Sequence, residues 1–199
     1  YPLWTLDRET VTRLASDFRG GGFSVEKLVR SILTSQEFYS EKAYRSKIKS
    51  PPELVAGTIR ALGVETDGRG LNGVTSRMGM ILFNPFDVSG WAGGEAWINS
   101  STLLQRINFA HRIAATRNGR FAVDFQAMIV SQGLTSAEHG LEVLISLLLD
   151  GYISEEEHRI LVLFARSLDI SAGLVFESLD ERLRMLVYLI VASPDFQLA

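Results

Sequence analysis

The stretch with the most chemical potential runs from Asn84 to Arg106, NPFDVSGWAGGEAWINSSTLLQR. It sets Trp91 and Trp97 among Asp87, Glu95 and Asn99, residue types that together can hold a sugar ring. An indole face stacks on the ring while amide and carboxylate groups bond its hydroxyls. Arg106 could offer its guanidinium to an anion, or staple loop carbonyls or a carboxylate such as Asp87. The same residues also have an architectural use. Gly90, Gly93 and Gly94 permit backbone angles that other residues resist. Asn99, Ser100 or Ser101 can cap a following helix, and Ile98 and Leu103 are spaced for a hydrophobic staple. Tryptophan is highly buried on average, so the favoured reading makes Trp91 a core plug and Trp97 a lock on the helix entry. The ligand platform comes second. For Arg106, and for Arg60, which also follows apolar helix positions, a structural staple is favoured over anion binding.

Other chemistries have thinner support. The three histidines offer one metal arrangement, His139, Glu142 and His158, if two helix starts converge. No H-x-x-x-H or H-E-x-x-H spacing preorganises such a site, and first-turn histidines are usually solvated, so the expectation is no metal and no cofactor. No G-x-S-x-G elbow is present for nucleophilic catalysis. The Gly20-Gly21-Gly22 run lacks the lysine and hydroxyl of a phosphate loop and reads as a helix terminator. Glu155, Glu156 and Glu157 lie at a helix start, where the helix dipole accounts for them.

The elements that would carry these residues are helical. Four cap-like sequences, SPPE at Ser50, TSAE at Thr135, SEEE at Ser154 and SLDE at Ser178, each precede apolar residues at helical spacing. Further helices are expected at about 7–18, 24–35, 72–83, 100–117 and 124–132, and no β-branched alternation marks a strand. The expected fold is mainly α: a multi-helix compact bundle of about eight helices, with the Gly/Trp-rich loop before a long helix. It forms a single helical domain over 1–199, with possible subdomains 1–118 and 119–199. LVRSILTSQEFYS (Leu28 to Ser40) and LVYLIVASPDFQL (Leu186 to Leu198) both end at Ser-x-acid-Phe, as if a phenylalanine folds back at each helix end.

Composition narrows the partners. A net charge of −3, with the densest basic cluster only Lys42, Arg45, Lys47 and Lys49, gives no footprint for nucleic acid. The absence of cysteine removes disulfides and thiol chemistry. The longest apolar runs fall short of the ~18–20 residues of a membrane span. The chain opens on Tyr1, which suggests the C-terminal part of a longer protein.

LVRSILTSQEF, KIKSPPELVAGTIRALG, LFNPFDVSGWAGGEAWINSSTLLQRINFAHR and the closing LVYLIVASPDFQLA follow one another in an order that resembles the C-terminal half of the bacterial domain of unknown function 1800 family. The resemblance runs from about Phe23 to the end, and departs where Pro85-Phe86 stands for the family's Pro-Pro. It implies an exported protein, periplasmic or at the cell surface. The family's FWHNHF-like segment, its most chemically suggestive motif, is absent here. The expected function is therefore non-catalytic, a surface scaffold or binding module for a protein partner or glycan. The alternative is the helical support of an enzyme acting on surface polysaccharide.

Overall fold

The computed structural model describes residues 7–119, 121–170 and 178–199. Among them are nine α-helices: α1 (Arg8–Gly20), α2 (Val25–Leu33), α3 (Pro51–Ala61), α4 (Leu71–Arg77), α5 (Ser100–Ala115), α6 (Phe125–Gln132), α7 (Ala137–Leu149), α8 (Glu155–Ile170) and α9 (Leu179–Ala192). A 3-10 turn at Gly94–Trp97 precedes α5 and another, Asp195–Gln197, follows α9. No strand occurs among the described residues, so the mainly α expectation holds.

The chain divides into two compact units, residues 1–47 with Ala199, and residues 48–198. Helices from both sides of residue 118 share one core in the second unit. In the first unit, α1 and α2 are capped by Asp7 and Ser24 and neither buries a residue fully.

The second unit is built around α9. Leu183, Leu186, Val187, Ile190 and Val191 are buried at i, i+3, i+4, i+7 and i+8, one stripe of a 3.6-residue period. The stripe meets Phe109 and Ile113 of α5 and Leu141, Leu144 and Leu148 of α7 in one continuous cluster. Truncating any of these leucines to alanine costs roughly 2–5 kcal/mol, because a close-packed interior collapses only partly around a lost side chain. Gly140 lets α7 approach α9: a Cβ there would run into Leu183 Cδ2.

The helix starts refine the cap reading. At α3 the box closes, with the Ser50 N–H donating to Glu53 Oε2 at 2.8 Å. At α7 the cap is Ser136, whose Oγ accepts from His139 N at 3.1 Å, one residue beyond the expected Thr135. Glu138 is then free to pair with Arg166, at 2.7 Å. At α9 Ser178 Oγ accepts from Glu181 N at 3.3 Å while the Glu181 carboxylate takes Arg117, at 3.0 Å. The side chain of Asp169 on α8 also accepts from Ala137 N at 2.8 Å and from Arg182 at 3.0 Å, so one carboxylate ties three helices. Helix α4 stops at Arg77, short of the expected 83, because Gly79 takes φ 98° and turns the chain. The two Ser-x-acid-Phe ends do share a device, since Phe38 N donates to Ser35 Oγ and Phe196 N to Ser193 Oγ, each at 3.3 Å. They differ in outcome: Phe196 is buried and Phe38 is exposed.

Candidate functional site

The Gly/Trp segment is an elbow ahead of α5. Asp87 opens a turn in which its carboxylate accepts from Ser89 N at 2.8 Å and from the Ser89 hydroxyl. Those bonds hold the Asp87 carboxyl below the usual aspartate range. Gly90 closes the turn at φ 89°, and its N–H donates to Asp87 O at 3.2 Å. Gly93 takes φ 71° and ψ −174°, a region that only glycine enters readily. The chain then winds through the 3-10 turn that carries Trp97. Trp97 is 7% exposed, packed against the backbones of Gly79 and Gly93. Its carbonyl accepts from Thr102 Oγ1 at 3.0 Å.

Asn99 supplies the cap of α5. Its Oδ1 accepts from Ser101 N and Thr102 N, both at 3.0 Å, while its own N–H donates to Thr102 Oγ1 at 2.9 Å. Threonine thus replaces the glutamate of a standard capping box. The candidate residues therefore separate. Trp97 and Arg106 are buried, Trp91 is half-buried, and Asp87, Glu95 and Asn99 are exposed. A sugar ring could stack on Trp91 but not on Trp97.

Arg106 is 1% exposed and is among the largest fully buried side chains. Its Nη1 donates to Gln197 Oε1 at 3.0 Å and its Nη2 to Lys49 O at 2.9 Å, joining the entry of α3, the middle of α5 and the turn after α9. Beside it, Lys49 N donates to Gln197 O at 2.8 Å. Gln197 is held in turn, donating through Nε2 to Val191 O at 2.9 Å. Asp87 takes no part. Burial lowers the guanidinium to about 10, which leaves it charged at neutral pH. Arg60, the other arginine singled out, is exposed.

The histidine candidates come together only in part. His158 Nε2 lies 3.1 Å from Glu142 Oε1 across α7 and α8. No group of three potential ligands that could hold a metal occurs among the described residues, so His139, Glu142 and His158 do not make a site.

Three features escape sequence reasoning. The first is a projecting apolar lip ahead of Trp91, where Phe83, Phe86 and Val88 are 96%, 101% and 108% exposed. Phe83 also holds φ 61°, a left-handed conformation that costs a bulky residue roughly 1–2 kcal/mol. The second is a cleft of about 580 Å³ between α5 and α9, lined by His111, Ala114, Arg117, Glu181, Met185 and Tyr188 among others. Its neighbour Arg184 is fully engaged, chelating Asp180 at 2.6 Å and capping α5 through the carbonyls of Ala114 and Thr116, each at 3.0 Å. The third is a facing carboxyl pair, Glu157 of α8 and Asp195 after α9. The one sequence signal for the lip was Pro85 between two phenylalanines, a poor helix segment in an apolar run.

No helix among the described residues is long and apolar enough to cross a membrane. No curated protein and no solved structure matches the chain. The family model described as a protein of unknown function, DUF1800, matches residues 5–198, and the chain belongs to that family.

Proposed function

We propose that this chain is a non-catalytic binding module of an exported protein, and that it engages a protein partner through the lip at 81–91. The observation that carries this is the exposure of Phe83, Phe86 and Val88 on a strained loop beside half-buried Trp91. Isolated exposed apolar residues are ordinary; several on one projecting segment mark an interaction surface. Strain at Phe83 supports the same reading, because nothing among the described residues repays the left-handed conformation of a fully exposed ring. After the lip in sequence, the buried Trp97 and the Asn99–Thr102 cap anchor the chain to the start of α5. A glycan is the second reading, with Trp91 as its single stacking face and Asp87 near in sequence. Export rests on the family resemblance.

A photo-crosslinking residue at position 86, with position 60 as an exposed control, tests the proposal in cells that make the full-length protein. The expected result is one defined protein adduct from position 86 that is lost in Phe83→Ser. A glycan-array signal abolished by Trp91→Ala, with no adduct at 86, transfers the site to the glycan reading. Silence in both assays refutes the binding module.

A further inference from the structure

We propose that Glu157 and Asp195 form an acid-tightened latch, which holds the start of α8 against the Ser193–Gln197 turn when they share a proton and loosens it when both are ionised. The geometry is a short polar circuit. Asp195 Oδ2 accepts from Ser154 N at 2.8 Å, so this carboxylate occupies the free amide just ahead of α8. Ser154 Oγ accepts in turn from Glu157 N at 3.4 Å, which places Glu157 one helical turn on. The Glu157 side chain lies within hydrogen-bonding reach of the Asp195 carboxyl and the Ser193 hydroxyl, and that hydroxyl also accepts from Phe196 N at 3.3 Å. A carboxyl–carboxyl hydrogen bond needs one proton between the two groups; without it, two anions face each other in a partly desolvated groove.

The surroundings sharpen the effect. The groove, of about 600 Å³, has an apolar floor that includes Ile160, Phe164, Leu189 and Pro194. Glu156 lies on its rim and adds a further acid. On α7, Glu142 turns instead to His158. Lys49 reaches the next residue of the turn, bonding Phe196 O at 2.8 Å with its ammonium 3.9 Å from the Phe196 ring. Burial first, and then the Asp195 carboxyl, raise Glu157 above its ordinary value of 4.5, while the Ser193 hydroxyl and the Asp195 backbone N–H, which favour the ionised form, offset part of the rise. A raised carboxyl contributes stability that is complete below that ordinary value and is lost as pH climbs through the folded-state value. Because the same turn carries buried Phe196 and the Arg106 partner Gln197, the latch acts on a segment the core depends on.

Glu157→Gln is the diagnostic variant, since the amide keeps a donor toward Asp195 at every pH. Thermal unfolding of the protein should show Glu157→Gln melting about 2–4 °C above wild type at pH 8, the shift expected of a local contribution in a chain of this length. The gap should close by pH 4.5. A gap of the same size and sign at both pH values, or a Glu157→Gln protein that melts lower at pH 8, overturns the latch. A second readout needs no variant: the carboxyl carbon of Glu157, followed by NMR, should titrate above the ordinary glutamate value of 4.5, and a midpoint at or below 4.5 also overturns the proposal.

Discussion

Replacing Arg106 by methionine removes a buried cation while nearly preserving side-chain volume, and the structure allows its cost to be worked out. Two charge-assisted hydrogen bonds disappear, to Gln197 Oε1 at 3.0 Å and Lys49 O at 2.9 Å. Bonds to charged groups contribute roughly 1.5–3 kcal/mol each, giving a gross loss of roughly 3–6 kcal/mol. The variant also escapes the desolvation of a guanidinium whose acceptors are both neutral, which returns part of that loss. The net expectation is roughly 2–4 kcal/mol of destabilisation. At about 2–4 °C per kcal/mol for a chain of this size, the melting midpoint falls by roughly 5–15 °C. Urea titration should show a lower midpoint at unchanged slope, since the fold stays the same and only its stability drops. A double-mutant cycle with Gln197→Ala should return a coupling of roughly 1–2 kcal/mol, the mark of a shared bond. If Arg106→Met unfolds within about 0.5 kcal/mol of wild type, as a surface substitution does, the clamp contributes nothing and the reasoning fails.

Gly140→Ala should destabilise the protein by roughly 1–3 kcal/mol in chemical denaturation, because the new methyl displaces Leu183, although alanine is the better helix former by about 1 kcal/mol. Trp97→Ala should cost roughly 3–5 kcal/mol, as for other buried aromatic truncations, whereas Trp91→Ala should cost clearly less, measured by the same unfolding titrations. Acrylamide should correspondingly quench Trp91 more readily than Trp97 in single-tryptophan variants. Asn99→Ala, read by thermal melting, should cost about 1 kcal/mol through loss of the α5 cap. Phe83→Gly should leave stability unchanged or raise it by up to about 1 kcal/mol, relieving the left-handed strain, while reducing partner crosslinking.

The helices were legible because their signals are local. Leu183, Leu186, Val187 and Ile190 announce a buried stripe by spacing alone, and Ser178 and Asp124 announce where helices begin. Boundaries were less legible where two residues compete for one role: Thr135 and Ser136 both suit a cap, and the choice depends on Asp169 arriving from α8. The candidate site fared differently residue by residue. The burial of Trp97 and the capping by Asn99 follow from local pattern. The partners of Arg106 do not, because Lys49 and Gln197 lie 57 and 91 positions away and no periodicity connects them. Phe83, Phe86 and Val88 were misleading in the opposite sense. Apolar type argues for burial, and only the turn at Asp87 and the turn at Gly79 after α4 reveal that the segment between them projects. Glu157 read as an ordinary helix-start acid and Asp195 as part of a helix-end motif until the fold placed both on one groove.

The Arg106 clamp also has a temporal consequence. During vectorial synthesis α3 and α5 can meet long before residue 197 exists, so the guanidinium must stay hydrated, or bonded to Lys49 alone, until the turn after α9 arrives. Desolvating the cation is therefore a late step, taken once the apolar stripe of α9 has docked. Run in reverse, the same order makes the Ser193–Gln197 turn the natural place for water to re-enter. Substitutions there should act chiefly on the unfolding rate, and those along the α9 stripe on the rate of folding.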